Sequence, residues 1–429
     1  MKQLKYIFSV FLLSVIGFSS CSESEDKITV NSVCVQTVDD TGTEIAKARL
    51  GEKIRIVGSG LSSTRAIFCN GKEVSGVNSN YITDNIIILT LPRDIPTGSD
   101  VKSESDLNTI RIKTKYDDFT FPFVIQGAAP TITGVSHTMP RAGERIEIYG
   151  TDLKDIQVVK FPGNVSATDF AVSNEYKTLS VVVPNGIGNE MGAISVEGVN
   201  GGTYSYEDFN WKLGQFIWQF SGDPGDKAYN YGQTITGNNV VTINITGDGP
   251  KTPDYYRTIP TEPELIPTTE KELGGFNFYP DKAIRIVLEA INAAGGNSSL
   301  NETTVCKDIA FQCDYYVSVP WTSGSLRLEL DGKRCSPLPW VENGNIVPVL
   351  FTGWRTMTWP LAEFSDYAGL TLKELQTVLS GKGGRVFWKA GTYPDKAGNN
   401  HSGIEMENAQ MSFGNFRIVP YIKPPYTNN

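Results

Sequence analysis

Two stretches of the chain, RLGEKIRIVGSGL from Arg49 and RAGERIEIYGTDL from Arg141, share seven of thirteen residues at a separation of 92 positions. A phrase repeated at that fidelity marks a duplicated structural unit. In each copy a Gly-containing turn leads into an alternating strand, with Ile54 and Ile56 or Ile146 and Ile148 on one face, ending at Gly58 or Gly150. A second apolar strand follows (RAIFCNG or QVVKFPG), then a third run (NIIILTLP or TLSVVVP) closed by Pro92 or Pro184. Short strands punctuated by turn residues at this spacing predict a small β-sandwich, written twice.

The whole chain has 429 residues, too many for one ordinary core, so two to four domains are expected. Residues 1–20 read as a secretory signal: Lys2 and Lys5 give a basic start, and the apolar stretch Ile7 to Phe18 is too short to span a bilayer. The following GFSSC resembles a bacterial lipoprotein box, which implies cleavage before Cys21 and lipidation, including palmitate, at that residue. The alternative is an ordinary cleaved signal with an unmodified Cys21. SESEDK then resembles the acidic signal that sends Bacteroidetes lipoproteins to the outer face of the outer membrane, so residues 21–28 read as a flexible acidic tether.

Without Lys2 and Lys5, Lys+Arg falls from 38 to 36 against 47 acids, a net charge near −11. A surface of that sign with no Lys/Arg run repels nucleic acid and favours a neutral ligand. Five cysteines remain beyond Cys21, at 34, 69, 306, 313 and 335. An odd count argues against a complete disulfide framework, and no CxxC spacing points to zinc, so buried free thiols are expected with no metal and no cofactor. Cys306 and Cys313, if on one strand, face opposite sides and do not bridge.

From about Leu213 the composition changes: six of the seven tryptophans and eleven of the eighteen tyrosines lie beyond that point. Alternation still predicts strands in DKAIRIVLEAI, DIAFQCDYYVSV, GSLRLELDG and GNFRIVPY. One short helix is expected at TLKELQTVLSG, where Thr371 and Glu374 form a capping box and Gly381 stops the run.

Enzyme constellations are sparse. His137 and His401 are the only histidines, which leaves a Ser/His/Asp or zinc-hydrolase site without parts. Glu289, Glu329, Glu342, Glu363 and Glu405 offer carboxylates for a glycosidase pair, but nothing distinguishes any two of them from solvated strand faces. Aromatic rings are more informative, because the C–H faces of sugars pack flat on Trp and Tyr. The candidate ring contacts are Trp340 in a Pro/Gly/Asn-rich loop, Trp388 and Tyr393 flanking a strand-to-loop passage, Tyr316 on the polar face of its strand, and Trp321 closing a strand. Trp354 and Trp359 read as core.

Two resemblances follow from these residues. The duplicated units look like IPT/TIG immunoglobulin-like domains over residues 29–126 and 127–212, which implies rigid struts. The ordered series DYYVSVPWTSGSLRLEL, PLPWVENG, GWRTMTWPLAEF and GNFRIVPY resembles the carbohydrate-binding C-terminal domain of Bacteroidetes surface glycan-binding lipoproteins of polysaccharide utilisation loci, of the xyloglucan-binding type, over residues 213–429. The resemblance implies an all-β chain: two Ig-like sandwiches, then a larger β-sandwich or jelly-roll-like domain with a short helix. It also implies non-catalytic capture of a polysaccharide, a plant-type β-glucan or hemicellulose, with Trp340 on the binding platform. The expected partners are outer-membrane lipid through Cys21, and an importer and a surface glycosidase of the same locus. Trp359, where an aliphatic residue is usual, and the loop PDKAGNNHSG depart from the family pattern. A surface glycoside hydrolase and a protein-binding adhesin are the alternatives.

Overall fold

The computed structural model describes residues 27–76, 78–217, 257–297 and 299–425. The signal segment, Cys21 and Trp218 lie outside these residues. Ile28, expected in the tether, is instead buried, and its backbone N–H donates to Asp117 Oδ2 at 2.9 Å. The chain divides into two compact units, Met1–Ala128 and Ala129–Asn429.

In the first unit, strands Thr29–Val35, Lys53–Ser59 and Ile86–Thr90 form one sheet. Four strands centred on Thr64–Cys69 and Thr109–Thr114 form the other. Between them lies a core that includes Ile54, Ile56, Leu61, Ile67 and Ile112. The second unit opens with a sandwich of the same design, in which Arg145–Thr151 stands where Lys53–Ser59 stands in the first. Ile146, Ile148, Leu153, Val159 and Phe209 fill it.

The geometry explains why the repeated phrase keeps the residues it keeps. Gly51 and Gly143 sit at φ +91 and +87, which L side chains rarely adopt. The carboxylates of Glu52 and Glu144 staple that turn by accepting the backbone N–H of Arg49 and Arg141, at 2.8 and 3.0 Å. A Cβ on Gly58 or Gly150 would meet the carbonyl oxygen of Thr29 or Thr131 at about 2 Å, so only glycine fits beside the bulge there. The isoleucines and leucines are buried in both copies.

The rest of the second unit is a larger sandwich. One sheet runs Gln215–Ile217, Met406–Pro420, Ile309–Val317, Arg355–Pro360, with Arg257–Ile266 also paired to Met406–Pro420. The other runs Lys271–Phe278, Gly384–Ala390, Ser325–Leu330, Lys333–Cys335. The fold class is all-β, as expected.

Two helices pack together beside the sandwich, and one corrects the sequence reading. DKAIRIVLEAI is not a strand: it forms helix α1, Pro280–Ala293. Ala283, Ile284, Val287, Leu288 and Ile291 are buried at helical spacing, and Pro280 starts the first turn, where its missing N–H costs nothing. Helix α2, Leu372–Val378, carries the expected capping box of Thr371 and Glu374.

All five described cysteines are free and buried. Cys306 lies in a single helical turn ahead of the strand that holds Cys313, not on the strand itself. Burial pushes the thiols of Cys69 and Cys306 up to about 12. Among the described residues no helix is long and apolar enough to cross a membrane.

Candidate functional site

Among the described residues, the tryptophans and tyrosines beyond Leu213 go mostly into the core, and one short segment gathers four of the tryptophans. Trp321 Nε1 donates to the carbonyl of Ser323 at 2.6 Å, Trp340 Nε1 to Gly324 at 2.7 Å, and Trp359 Nε1 to Leu326 at 3.1 Å. Trp388 pairs with Leu326 in the sheet, and a Cβ on Gly324 would lie 2.8 Å from its indole nitrogen. All four rings are 0% exposed.

This corrects the expectation that Trp340 in its loop, Trp388 at its strand-to-loop passage and Trp321 at its strand end contact a ligand. A buried indole N–H needs an acceptor, and the backbone of Ser323–Leu326 supplies three. Tyr393 is also buried: its hydroxyl donates to the carbonyls of Lys389 and Ala390, and the Arg327 guanidinium lies 5.0 Å from its ring centroid. Trp359 is core as expected. Trp354, expected in the core, is half-exposed.

Tyr316 is the sequence candidate that stays half-exposed, and it is the middle of a larger arrangement. It pairs with Ser412 across the sheet, and Ser412 pairs with Thr258 on the next strand. Directly opposed residues share a face, so the three side chains form a row perpendicular to the strands. Trp354 extends the row by one strand: it precedes Arg355, the partner of Tyr315, and its ring centroid lies 6.3 Å from that of Tyr316. Four strands at about 4.8 Å spacing make the row about 14 Å long. Phe351 stands edge-on to Tyr316 at 5.7 Å, and the hydroxyls of Thr258 and Ser412 are 2.8 Å apart.

Rings at one end and hydroxyls at the other give a flat surface with both apolar and hydrogen-bonding groups. Val347 and Leu350, in the segment that leads to Phe351, are also exposed. Sequence reasoning found Tyr316 but not Ser412, Thr258 or Phe351. These residues come from four separate segments, and only strand register brings them together.

The same sheet face, farther along the strands, is covered by the second Ig-like repeat. Arg417, Asp314, Gln312 and Thr138 are buried there. Arg417 Nη2 donates to Asp314 Oδ1 at 2.8 Å and to Thr138 Oγ1 at 2.8 Å, and Arg417 Nε donates to Gln312 Oε1 at 3.1 Å. Asn415 Nδ2 reaches the other oxygen of Asp314 at 2.9 Å, and the backbone N–H of Thr356 donates to the carbonyl of Ser136 at 2.7 Å. Burial alone raises the Asp314 carboxyl, but the Arg417 guanidinium and His137 overcome it and hold the carboxyl well below the usual range.

At the sheet edge, Arg355 donates to Tyr149 Oη at 2.5 Å and to Glu147 Oε2 at 3.2 Å. In the first repeat the positions of Glu147 and Tyr149 are occupied by Arg55 and Val57. The two copies therefore agree where they face inward and differ at these contacts.

Three of the five carboxylates considered for glycoside cleavage are engaged in ion pairs. Glu289 pairs with Arg285 at 3.8 Å, Glu329 with Arg334 at 2.5 Å, and Glu363 with Lys396 at 3.5 Å. His401 bonds to Asp395 at 2.9 Å, and the other oxygen of Asp395 accepts the N–H groups of Ala397 and Asn399, which shapes the unfamiliar loop as a capped turn. Among the described residues no group of three or more His, Cys, Asp or Glu is placed to hold a metal.

The C-terminal β-sandwich thus presents an aromatic, hydroxyl-edged sheet face and follows an Ig-like repeat. Its family likeness is specific: residues 275–420 match the family described as surface glycan-binding protein B xyloglucan binding domain. That match covers about a third of the chain and lies wholly in its C-terminal region. The fold resembles the crystal structure of the surface glycan-binding protein PbSGBP-B from Prevotella bryantii, with a TM-score of 0.60 and 16% identity over 92% of this chain and 99% of that one. An IPT/TIG domain-containing protein of Bacteroides ovatus is 24% identical over 195 residues, 42% of this chain and 39% of that protein. The chain thus matches well under two thirds of that relative's length.

Proposed function

We propose that this chain is a non-catalytic, cell-surface polysaccharide-binding lipoprotein that takes a plant-type β-glucan or hemicellulose on the row Trp354, Tyr316, Ser412 and Thr258. The observation that carries the reading is that row, on the open half of a sheet whose domain matches a xyloglucan-binding family. Sugar C–H faces pack on the two rings, and the hydroxyls beyond them meet the sugar edges.

In this reading residues 29–126 and 127–212 are the IPT/TIG repeats, residues 213–429 bind the glycan, and Cys21 carries the lipid that holds the protein on the outer membrane. Delivery to an importer and a glycosidase follows from that location. Stable anchoring takes more than one acyl chain, so metabolic labelling with palmitate and its loss in Cys21→Ala test the anchor.

The binding claim is tested by calorimetry of the full chain with xyloglucan and mixed-linkage β-glucan, alongside a reducing-end assay. Binding without release of reducing ends is expected. Release above blank would place the protein among the hydrolases, and absence of binding to any polysaccharide would overturn the reading.

A further inference from the structure

The sheet opposite the aromatic row ends in an open cleft. Phe278, Gly384 and Leu330 lie side by side in that sheet, and the residues just beyond them, Tyr279, Gly383 and Asp331, form the cleft's walls with Asn277, Glu329 and Arg385. Its volume is about 440 Å3, within the roughly 300–1,000 Å3 of small-molecule sites.

Three features make it a built site. The walls are fixed: Asp331 N–H donates to the Gly383 carbonyl at 2.9 Å, and Lys282 Nζ holds 4.3 Å from the centroid of the half-exposed Tyr279 ring. The lining is electrically balanced. Glu329 pairs with Arg334 at 2.5 Å, Asp331 with Lys382 at 3.6 Å, and Arg385 with Glu272. Those partners orient the polar groups and cancel their charge, which disfavours a strongly charged ligand and suits a neutral one with many hydroxyls. Finally, the space beside Gly383 is open: a Cβ there would meet nothing within 4 Å. Behind Gly381, whose N–H lies 3.5 Å from Asp281 Oδ2, the other oxygen of Asp281 is buried without a hydrogen-bond partner.

We propose that this cleft is a second saccharide site, taking one sugar residue or a chain end against Tyr279, with Asn277, Glu329, Asp331 and Arg385 bonding its hydroxyls. The proposal rests on the glycan-binding reading above. It makes capture of a long polymer bivalent, since a chain held on the sheet face raises the local concentration of sugar at the cleft.

The test uses the full chain, a xylogluco-oligosaccharide and polymeric xyloglucan. Gly383→Tyr fills the cleft at a position whose φ is not left-handed, so the folded chain accepts it, and Tyr279→Ala is the second variant. Hydrogen exchange with and without saturating oligosaccharide is expected to show protection at residues 277–279, 329–332 and 381–385. That protection should persist in Tyr316→Ala/Trp354→Ala and vanish in Gly383→Tyr. Retention on polymeric xyloglucan should fall on the order of tenfold in Gly383→Tyr. Protection of the sheet face alone, or cleft protection that survives both cleft variants, overturns the second site and leaves the glycan reading standing. Protection nowhere on the chain overturns both.

Discussion

Arg417 donates to Asp314 at 2.8 Å with both side chains fully enclosed, and the Thr138 hydroxyl that completes the cluster belongs to a different sandwich. Taking two charges out of water is costly, so such a pair is weak evidence of net stability, but removing one partner strands the other charge. Arg417→Ala is therefore expected to cost about 3–5 kcal/mol in urea unfolding. Thr138→Val, which removes the hydroxyl that contacts Arg417, Gln312 and Thr356 but strands no charge, should cost only about 1–2 kcal/mol. Equal costs for the two would show that the cluster is not organised around the ion pair.

Truncation tests the same junction. A chain beginning at residue 129 keeps the cluster whole, whereas one beginning at residue 213 lacks Thr138, Tyr149 and Glu147 and uncovers Asp314 and Arg417. The longer piece should melt close to the full chain's C-terminal transition. The shorter should melt several degrees lower, and equal melting temperatures would mean the repeat is a passive neighbour.

Stability should also depend on pH through Glu207. Burial pushes its carboxyl up to about 7 from 4.5, and one of its oxygens has no hydrogen-bond partner. The folded state thus holds this proton more tightly than the unfolded one. Its contribution is fully present below about pH 4.5 and is lost as pH rises through about 7. At about 1.4 kcal/mol per pKa unit the effect is on the order of 3 kcal/mol. Asp314 acts in the opposite sense: its lowered value stabilises the fold above the unfolded pKa and fails only as pH drops well below it. Melting temperature should therefore peak in mildly acidic buffer, and Glu207→Gln should flatten the fall between pH 5 and 8. A wild-type profile flat over that range would contradict the assignment.

The ring assignments separate binding from stability. Trp354→Ala or Tyr316→Ala should lose about 1–3 kcal/mol of glycan affinity, by analogy with ring stacking elsewhere, and leave the melting temperature nearly unchanged. Trp340→Ala and Trp359→Ala should each cost about 3–5 kcal/mol of stability through lost burial and the cavity left behind. A stable Trp340→Ala that no longer binds would return Trp340 to the ligand surface. Calorimetry and thermal melts of the four variants decide this.

What the sequence disclosed and what it hid follow the range of the forces involved. Turn glycines, alternating isoleucines and the Thr371–Glu374 capping box act within a few residues, and they read correctly from the chain. DKAIRIVLEAI did not, because its apolar residues satisfy both an alternating and a helical pattern, and packing beside the sandwich decides between them. The tryptophans failed for a related reason. Loop composition marks Trp340 as exposed, but its ring is drawn inward by the Gly324 carbonyl, sixteen residues away. The row from Thr258 to Trp354 is a product of register and has no local signature.

The five buried thiols give the fold its own set of reporters. Enclosure keeps all five unreactive while the surrounding structure is closed, and burial also raises the thiols of Cys69, Cys306, Cys313 and Cys335. An alkylating reagent therefore modifies each only when its own neighbourhood opens. Cys34 and Cys69 register openings of the first sandwich, while Cys306, Cys313 and Cys335 register openings of the C-terminal one. Residues 127–212 contain no cysteine, so the second repeat stays silent in such an experiment until a thiol is introduced there.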